Sequence, residues 1–219
     1  MSKPCIPASA CPILDEEIIS DVYKLPVLSF DGKSSPFGEL VAARDDILNV
    51  VVIFIRHFFC SCDQDYIRSI ALHLTPTVLS TLPIGPSRLI IVGCGDPSRI
   101  PPYAAETSCE LPIFTDPTGR LYEMLRMKRT LIASRRPSYT KQSLFGLIIR
   151  SAKQMVWSGY EAFRGGDFWQ NGGELIFREG RCVWVHRMET TADHLTAEEL
   201  VKVLSGTEDC PVAKFFKGL

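Results

Sequence analysis

Residues able to do chemistry crowd into one short string, Arg56-His57-Phe58-Phe59-Cys60-Ser61-Cys62-Asp63-Gln64-Asp65-Tyr66. A thiol attacks only as its thiolate, so the position of each cysteine decides its use. The string follows Val50-Val51-Val52-Ile53-Phe54-Ile55, an apolar β-branched run that reads as a central parallel strand buried on both faces. A segment of helical spacing follows it. Cys60 therefore falls at the C-terminal end of a strand and the N-terminus of a helix, where free N–H groups and the positive dipole end favour thiolate. Arg56 and His57 add positive charge there, whereas Asp63 and Asp65 oppose it. Phe59 and Asp63 are candidates for the wall of a substrate pocket. Cys62 makes a Cys-x-Cys pair with Cys60; a disulfide in so small a ring is strained and relatively oxidising. In a helix, residues two apart also point to different faces. His57, Cys60 and Cys62 are three metal-ligand types within six residues, but zinc wants a fourth and a more regular Cys-x₂₋₄-Cys spacing. No metal and no cofactor is expected.

The elements that position this corner can be read along the chain. Residues 1–20, with Pro4, Pro7 and Pro12, read as an irregular lead-in, and Tyr23 to Phe30 alternates weakly up to the turn pair Asp31-Gly32. Ile67, Ile70, Ala71 and Leu74 mark a helix within Asp63–Leu82 that Pro76 ends or kinks. Leu89-Ile90-Ile91-Val92 is a second buried strand, completing a right-handed βαβ unit. A short helix near Tyr103, a strand at Pro112–Thr115 and a helix through Leu121, Leu125 and Met127 follow. Gly173–Arg178 and Arg181–Arg187 read as two strands joined by Glu179-Gly180, a tight hairpin signal. A helix then runs from Thr196, its N-cap, with Glu199 as capping-box partner, to Leu204 and Gly206. A βαβ unit, a hairpin and a final helix are the order of a thioredoxin fold. The fold class expected is α/β, one thioredoxin-like domain over 1–219 with a 206–219 tail and a helical insertion within 130–170. That insertion carries a basic loop (Arg135, Arg136, Lys141) and an apolar amphipathic segment, Leu144–Phe163. Ile148, Ile149, Ala152, Met155, Val156 and Phe163 would form its apolar face, as a lid over the cysteines, a packing helix or a dimer face.

Three segments resemble the peroxiredoxin-like group of the AhpC/TSA superfamily, which includes the prostamide/prostaglandin F synthase-like proteins. They are Phe54-Ile55-Arg56-His57-Phe58-Phe59-Cys60, then Asp116-Pro117 through Tyr122 with Met127-Lys128-Arg129, then Gly172-Gly173-Glu174-Leu175-Ile176-Phe177 with His186-Arg187-Met188. The resemblance implies a thioredoxin fold, reduction of a peroxide or endoperoxide, electrons from thioredoxin or another thiol, and Cys60 as the first active-site cysteine. Members commonly carry Cys-x-x-Cys; here Asp63 stands at the second position. The Pro-x-x-x-Thr-x-x-Cys loop of true peroxiredoxins is absent, with Ile53 and His57 at the Pro and Thr positions.

Several further residues are candidates. Cys94 ends the second strand, on the edge that carries Cys60, and is the distal candidate for resolving an oxidised Cys60; its other reading is a small buried hydrophobe. Cys109 is a similar case, Cys182 reads as core, and Cys5, Cys11 and Cys210 fall near the ends. His186 and Arg187 close the second hairpin strand. If that strand runs parallel to the first, Arg187 reaches the active edge and can hold a thiolate or substrate oxygen; otherwise it pairs with Glu189. Arg129 is a further basic candidate for the pocket. Where thioredoxin folds hold a cis-proline opposite the active cysteine, this chain reads Gln170-Asn171-Gly172-Gly173, and the missing side chains at Gly172 and Gly173 are expected to leave room for a larger substrate.

Composition bounds these readings. The chain has 219 residues, 46% hydrophobic and 22% charged, with a net charge of −1, which points to neither nucleic acid nor an anionic membrane. No apolar run approaches the length of a membrane span, and Met1–Cys11 has no apolar signal core. A cytoplasmic protein with reduced thiols is expected, despite eight cysteines. Three functions fit: a thiol-dependent oxidoreductase using Cys60 on an organic peroxide, endoperoxide or disulfide; a redox-independent isomerase or lyase for a hydrophobic metabolite; and a non-enzymatic redox-sensing module. The partners expected are that small molecule, thioredoxin or another thiol reductant, and, as an open option, a second copy in a homodimer.

Overall fold

The computed structural model describes residues 16–44, 46–132, 138–140, 144–159 and 164–205. Its elements in chain order are α1 (Glu16–Lys24), β1 (Pro26–Leu28), β2 (Ser34–Pro36), α2 (Phe37–Val41), β3 (Asn49–Phe54), α3 (Ser61–His73), α4 (Pro76–Ser80), β4 (Ser87–Gly93), α5 (Ile100–Thr107), β5 (Ile113–Thr115), α6 (Arg120–Met124), α7 (Leu144–Ser158), β6 (Gly173–Arg178), β7 (Arg181–Arg187) and α8 (Ala197–Leu204). Seven strands form one sheet in the order β2-β1-β5-β4-β3-β6-β7.

β3 is an interior strand between β4 and β6, all six residues buried, as the apolar run from Val50 requires. It pairs in parallel with β4, from Asn49 beside Ser87 to Phe54 beside Val92, and antiparallel with β6. β7 is antiparallel to β6 and so runs parallel to β3. The β6–β7 turn places Glu179 and Gly180 at φ 50° and 78°, the left-handed pair that a two-residue hairpin needs. α3 ends at His73, and Thr75 caps a new short helix with Pro76 in its first turn, so the proline breaks the helix as expected. Thr196 and Glu199 close a capping box on α8.

Two cores flank the sheet. Val51, Ile53, Leu89 and Ile91 face α3, α5 and α8, whereas Val50, Val52, Phe54, Ile90 and Val92 face α1, α2 and α6. α1 corrects the expected lead-in: from Glu16 onward the chain is helical and seats Ile18, Ile19 and Val22 on the second core. Tyr23 there donates a hydrogen bond to the Gly180 carbonyl. The weakly alternating stretch yields only the three-residue β1. No described helix is long and apolar enough to cross a membrane.

Candidate functional site

The corner after β3 is fixed by main chain first. Ile55 N–H continues the ladder to Val92 O, a turn joins Cys60 N–H to His57 O at 3.0 Å, and Cys60 takes the N-cap position of α3. Asp63, in the first turn and fully buried, reaches back so that Oδ2 accepts the Arg56 N–H at 2.6 Å. This clamp ties the strand end to the helix start.

Arg56 turns its buried guanidinium along the same corner. Nη1 donates to Cys60 Sγ at 3.2 Å, Nε to Asn171 Oδ1 at 3.3 Å and Nη2 to Phe168 O at 2.9 Å. Cys60 is only 4% exposed. Burial, helped by the Asp63 charge, pushes its thiol up to about 12, with Arg56 pulling the other way. The closed site therefore holds a thiol that is poised beside a cation rather than ionised. His57 does not supply the positive charge expected of it. It is buried edge-on to Phe168, and burial, reinforced by Arg56, lowers its pKa to about 3, so the ring is neutral.

Cys62 has a different polar partner, its Sγ 3.3 Å from Tyr139 Oη. That hydroxyl lies 2.6 Å from His194 Nδ1, and His194 Nε2 is 3.0 Å from Asp63 Oδ1, a close contact without hydrogen-bond geometry. Burial acts to raise the Asp63 pKa, but His194 and Arg56 outweigh it and hold the carboxylate below its usual range. Tyr66 stacks on His194 with ring centroids 4.3 Å apart and donates to Glu174, whose other oxygen meets His186 Nδ1 at 2.6 Å. Tyr139 and His194 carry no signal in the sequence; they reach the site from distant irregular segments.

α7 covers both cysteines. Leu147 joins Cys60, Cys62 and Ala192 in one small buried cluster. Ser151 Oγ accepts the Ser61 N–H at 3.0 Å, Arg150 donates to Ser61 O and Asp65, and Gln154 accepts from Gln64. The seated stripe is thus Leu147, Arg150, Ser151 and Gln154, so of the expected apolar face Ile148, Ile149 and Val156 do not cover the cysteines. Ile148 is 62% exposed and Val156 77%, with Trp157 beside them almost wholly exposed. A polar stripe suits a helix start, whose free main-chain groups need hydrogen-bonding partners.

The remaining candidates are dispersed. Cys94 is buried in the core on the other side of the sheet, donates to Arg56 O at 2.8 Å, and is raised by burial to about 12. Although β7 does run parallel to β3, Arg187 directs Nε to Leu125 O at 2.6 Å. Glu189, its alternative partner, pairs with Lys128. Arg129 is exposed and paired with Asp167 at 2.5 Å. Phe59 is buried beneath the Arg99 guanidinium, 4.8 Å from its ring centre. The room expected at Gly172 and Gly173 is absent. A Cβ on Gly172 would lie 1.8 Å from Phe54 O, and one on Gly173 2.2 Å from His186 O. These glycines admit strand backbone, and Asn171 beside them holds Arg56 and Met188 O. Cys109 is buried, Cys182 is partly buried on β7, and Cys5, Cys11 and Cys210 lie outside the described residues. Among the described residues, no group of three His, Cys, Asp or Glu side chains could hold a metal ion.

A mixed sheet of this order, with an N-cap cysteine beside a buried guanidinium at the end of an interior strand, is that of a thioredoxin-fold protein of redox type. A family model described as AhpC/TSA antioxidant enzyme matches residues 74–190, more than half of the chain, and the chain belongs to that family. The match opens at Leu74, beyond the cysteine corner. Human Peroxiredoxin-like 2C is 28% identical over 202 residues, covering 91% of this chain and 85% of that one, and the mouse protein of the same name is also 28% identical, over 201 residues. Among solved structures, the bacterioferritin comigratory protein of Xanthomonas campestris, described for its alkyl peroxide reduction, aligns with a TM-score of 0.52 at 12% identity over 84% of this chain and 92% of that one. Reduced Prx3 of Vibrio vulnificus in complex with H₂O₂ gives 0.54 at 12% over 88% and 96%. At these identities the likeness is one of fold.

Proposed function

We propose that the protein is a thiol-dependent reductase of a hydroperoxide, with Cys60 as nucleophile. The Cys60 thiol gives up its proton and the thiolate attacks the terminal peroxide oxygen. The O–O bond breaks, the alkoxide leaves and takes up that proton to become the alcohol, and Cys60 with the transferred OH becomes a sulfenic acid. A second thiol condenses with it, releasing water, and thioredoxin or another thiol reduces the resulting disulfide. The observation that carries this reading is the 3.2 Å contact from Arg56 to Cys60, because a buried cation there favours both the thiolate and the charge that develops on the peroxide. Family membership and the peroxide chemistry named for the structural relatives support the same reading. Cys60 and Cys62 are buried under Leu147, so α7 must shift for substrate to enter. Leu147 and Ala192, which pack on the two thiols, are apolar and suit an organic peroxide better than H₂O₂. The burial of Cys60 also favours a second reading, a redox sensor that oxidises reversibly without turnover.

The test is consumption of cumene hydroperoxide by the full chain with thioredoxin or dithiothreitol as donor. Reductant-dependent turnover that Cys60→Ser abolishes is expected. An unimpaired Cys60→Ser variant overturns the reading, and oxidation without turnover selects the sensor.

A further inference from the structure

Cys60 has its own polar partner in Arg56, yet the second thiol is joined to a separate buried line of groups. From Cys62 Sγ it passes to Tyr139 Oη at 3.3 Å, on to His194 Nδ1 at 2.6 Å, and from His194 Nε2 to Asp63 Oδ1 at 3.0 Å. The directions of its hydrogens follow from elementary chemistry. The Asp63 carboxylate, which only accepts, lies 3.0 Å from Nε2 and favours the ring hydrogen on that nitrogen, which leaves Nδ1 to accept from the Tyr139 hydroxyl. The Tyr139 oxygen is then left to accept from the Cys62 S–H. His194 has the Asp63 carboxylate near one nitrogen, the Tyr139 hydroxyl on the other and Tyr66 stacked on its face. Nucleophile, proton carrier, base and orienting carboxylate stand in the order that activated nucleophiles require.

We infer that Tyr139, His194 and Asp63 form a proton relay for Cys62, which makes Cys62 the resolving thiol. The inference rests on the peroxide reading above. In the step it serves, the Cys62 S–H bond breaks, a Cys60–Cys62 S–S bond forms and the Cys60 S–O bond breaks. The Cys60 sulfur is reduced and the Cys62 sulfur oxidised. The Cys62 proton moves to Tyr139 as the Tyr139 hydrogen moves to His194, whose cation Asp63 stabilises. A proton returned by the relay turns the departing hydroxide into water. Burial, first, and the neighbouring Cys60 and Asp63 charges raise the Cys62 thiol, so it resolves slowly unless a base takes its proton. Tyr139 also lines an open groove of about 750 Å³ with Asp65, Arg68 and Arg150, which gives the relay an outlet to solvent. Tyr139 touches the reacting sulfur and is a catalytic residue; His194 and Asp63 act through it and are positioning residues.

Rapid-quench mass spectrometry of the full chain after one equivalent of cumene hydroperoxide separates the two steps, with dimedone trapping the sulfenic acid. Tyr139→Phe keeps the ring and its packing; His194→Gln removes the base. In both, conversion of the Cys60 sulfenic acid to the Cys60–Cys62 disulfide should slow about 100-fold, the low end for positioned acid–base groups. The solvent deuterium isotope effect on that step should disappear in Tyr139→Phe, which a merely structural role would not cause. Unchanged resolution in both variants, or a parent disulfide from Cys60 to another cysteine, overturns the relay. In the Cys60→Ser chain, attack of Cys62 on 4,4′-dithiodipyridine should fall by a similar factor on adding Tyr139→Phe. If that fall is seen while the parent forms no sulfenic acid, the relay stands and the peroxide reading fails.

Discussion

Replacing Arg56 by Gln removes the one described cation that touches Cys60 while keeping a polar side chain of moderate length. The Nη1–Sγ contact is 3.2 Å, and hydrogen bonds to charged groups contribute about 1.5–3 kcal/mol. With tenfold in an equilibrium for each ~1.4 kcal/mol, the Cys60 thiolate population should fall roughly 10- to 150-fold at fixed pH. The sign is firm: burial and Asp63 already hold the thiol up at about 12, and Arg56 is the group pulling it down. Arg56→Lys keeps the charge but cannot serve Cys60, Asn171 and Phe168 at once, so it should fall between parent and Gln. Asn171 Oδ1 and Phe168 O lose their donor in the Gln variant, at about 1–3 kcal/mol for each group left unsatisfied, which a lowered melting temperature will register separately. The assay is peptide-mapped iodoacetamide alkylation of Cys60 well below the melting temperature. Alkylation of folded Arg56→Gln at the parental rate or faster would refute the reasoning.

Two other outcomes follow from the same geometry. Leu147→Ala strips the apolar cover from Cys60 and Cys62, so both should alkylate faster, while stability falls by roughly 2 kcal/mol as judged by urea unfolding. His57 has a folded pKa of about 3 against an ordinary 6.5, so below pH 6.5 the unfolded chain takes up the proton first. Stability from this group is complete above 6.5 and is lost as pH falls towards 3, by up to about 5 kcal/mol. His57→Phe should flatten the acid limb of stability against pH, leaving the part due to the depressed Asp63 carboxylate, which has the same sign.

The sequence made the frame legible wherever burial is symmetrical and turns are stereotyped. The runs at β3 and β4 and the Glu179-Gly180 pair led directly to the central strands and the hairpin. The placement of Cys60 was legible for the same reason, as it follows a strand and takes the N-cap position of a helix. α1 escaped because a helix of nine residues shows little more than two turns of period, under the shadow of three nearby prolines. Gly172 was misread because a missing side chain signals open space and close backbone contact equally, and only the distance to Phe54 O decides. Which face of α7 is seated was not legible, because an apolar stripe fits a lid, a packing helix or a dimer face equally, and the surface beneath is the polar start of α3. Tyr139 and His194 were invisible, since neither lies near the cysteines in the chain and only the fold brings them to Asp63 and Cys62.

Mass spectrometry of every thiol after a stoichiometric hydroperoxide pulse bears most directly on the proposal that Cys60 is the reacting nucleophile. Early quenching should find sulfenic acid on Cys60, and later quenching a Cys60–Cys62 disulfide, with Cys94, Cys109 and Cys182 still open to alkylation. Oxidation that begins at any other cysteine while Cys60 stays reduced would contradict it.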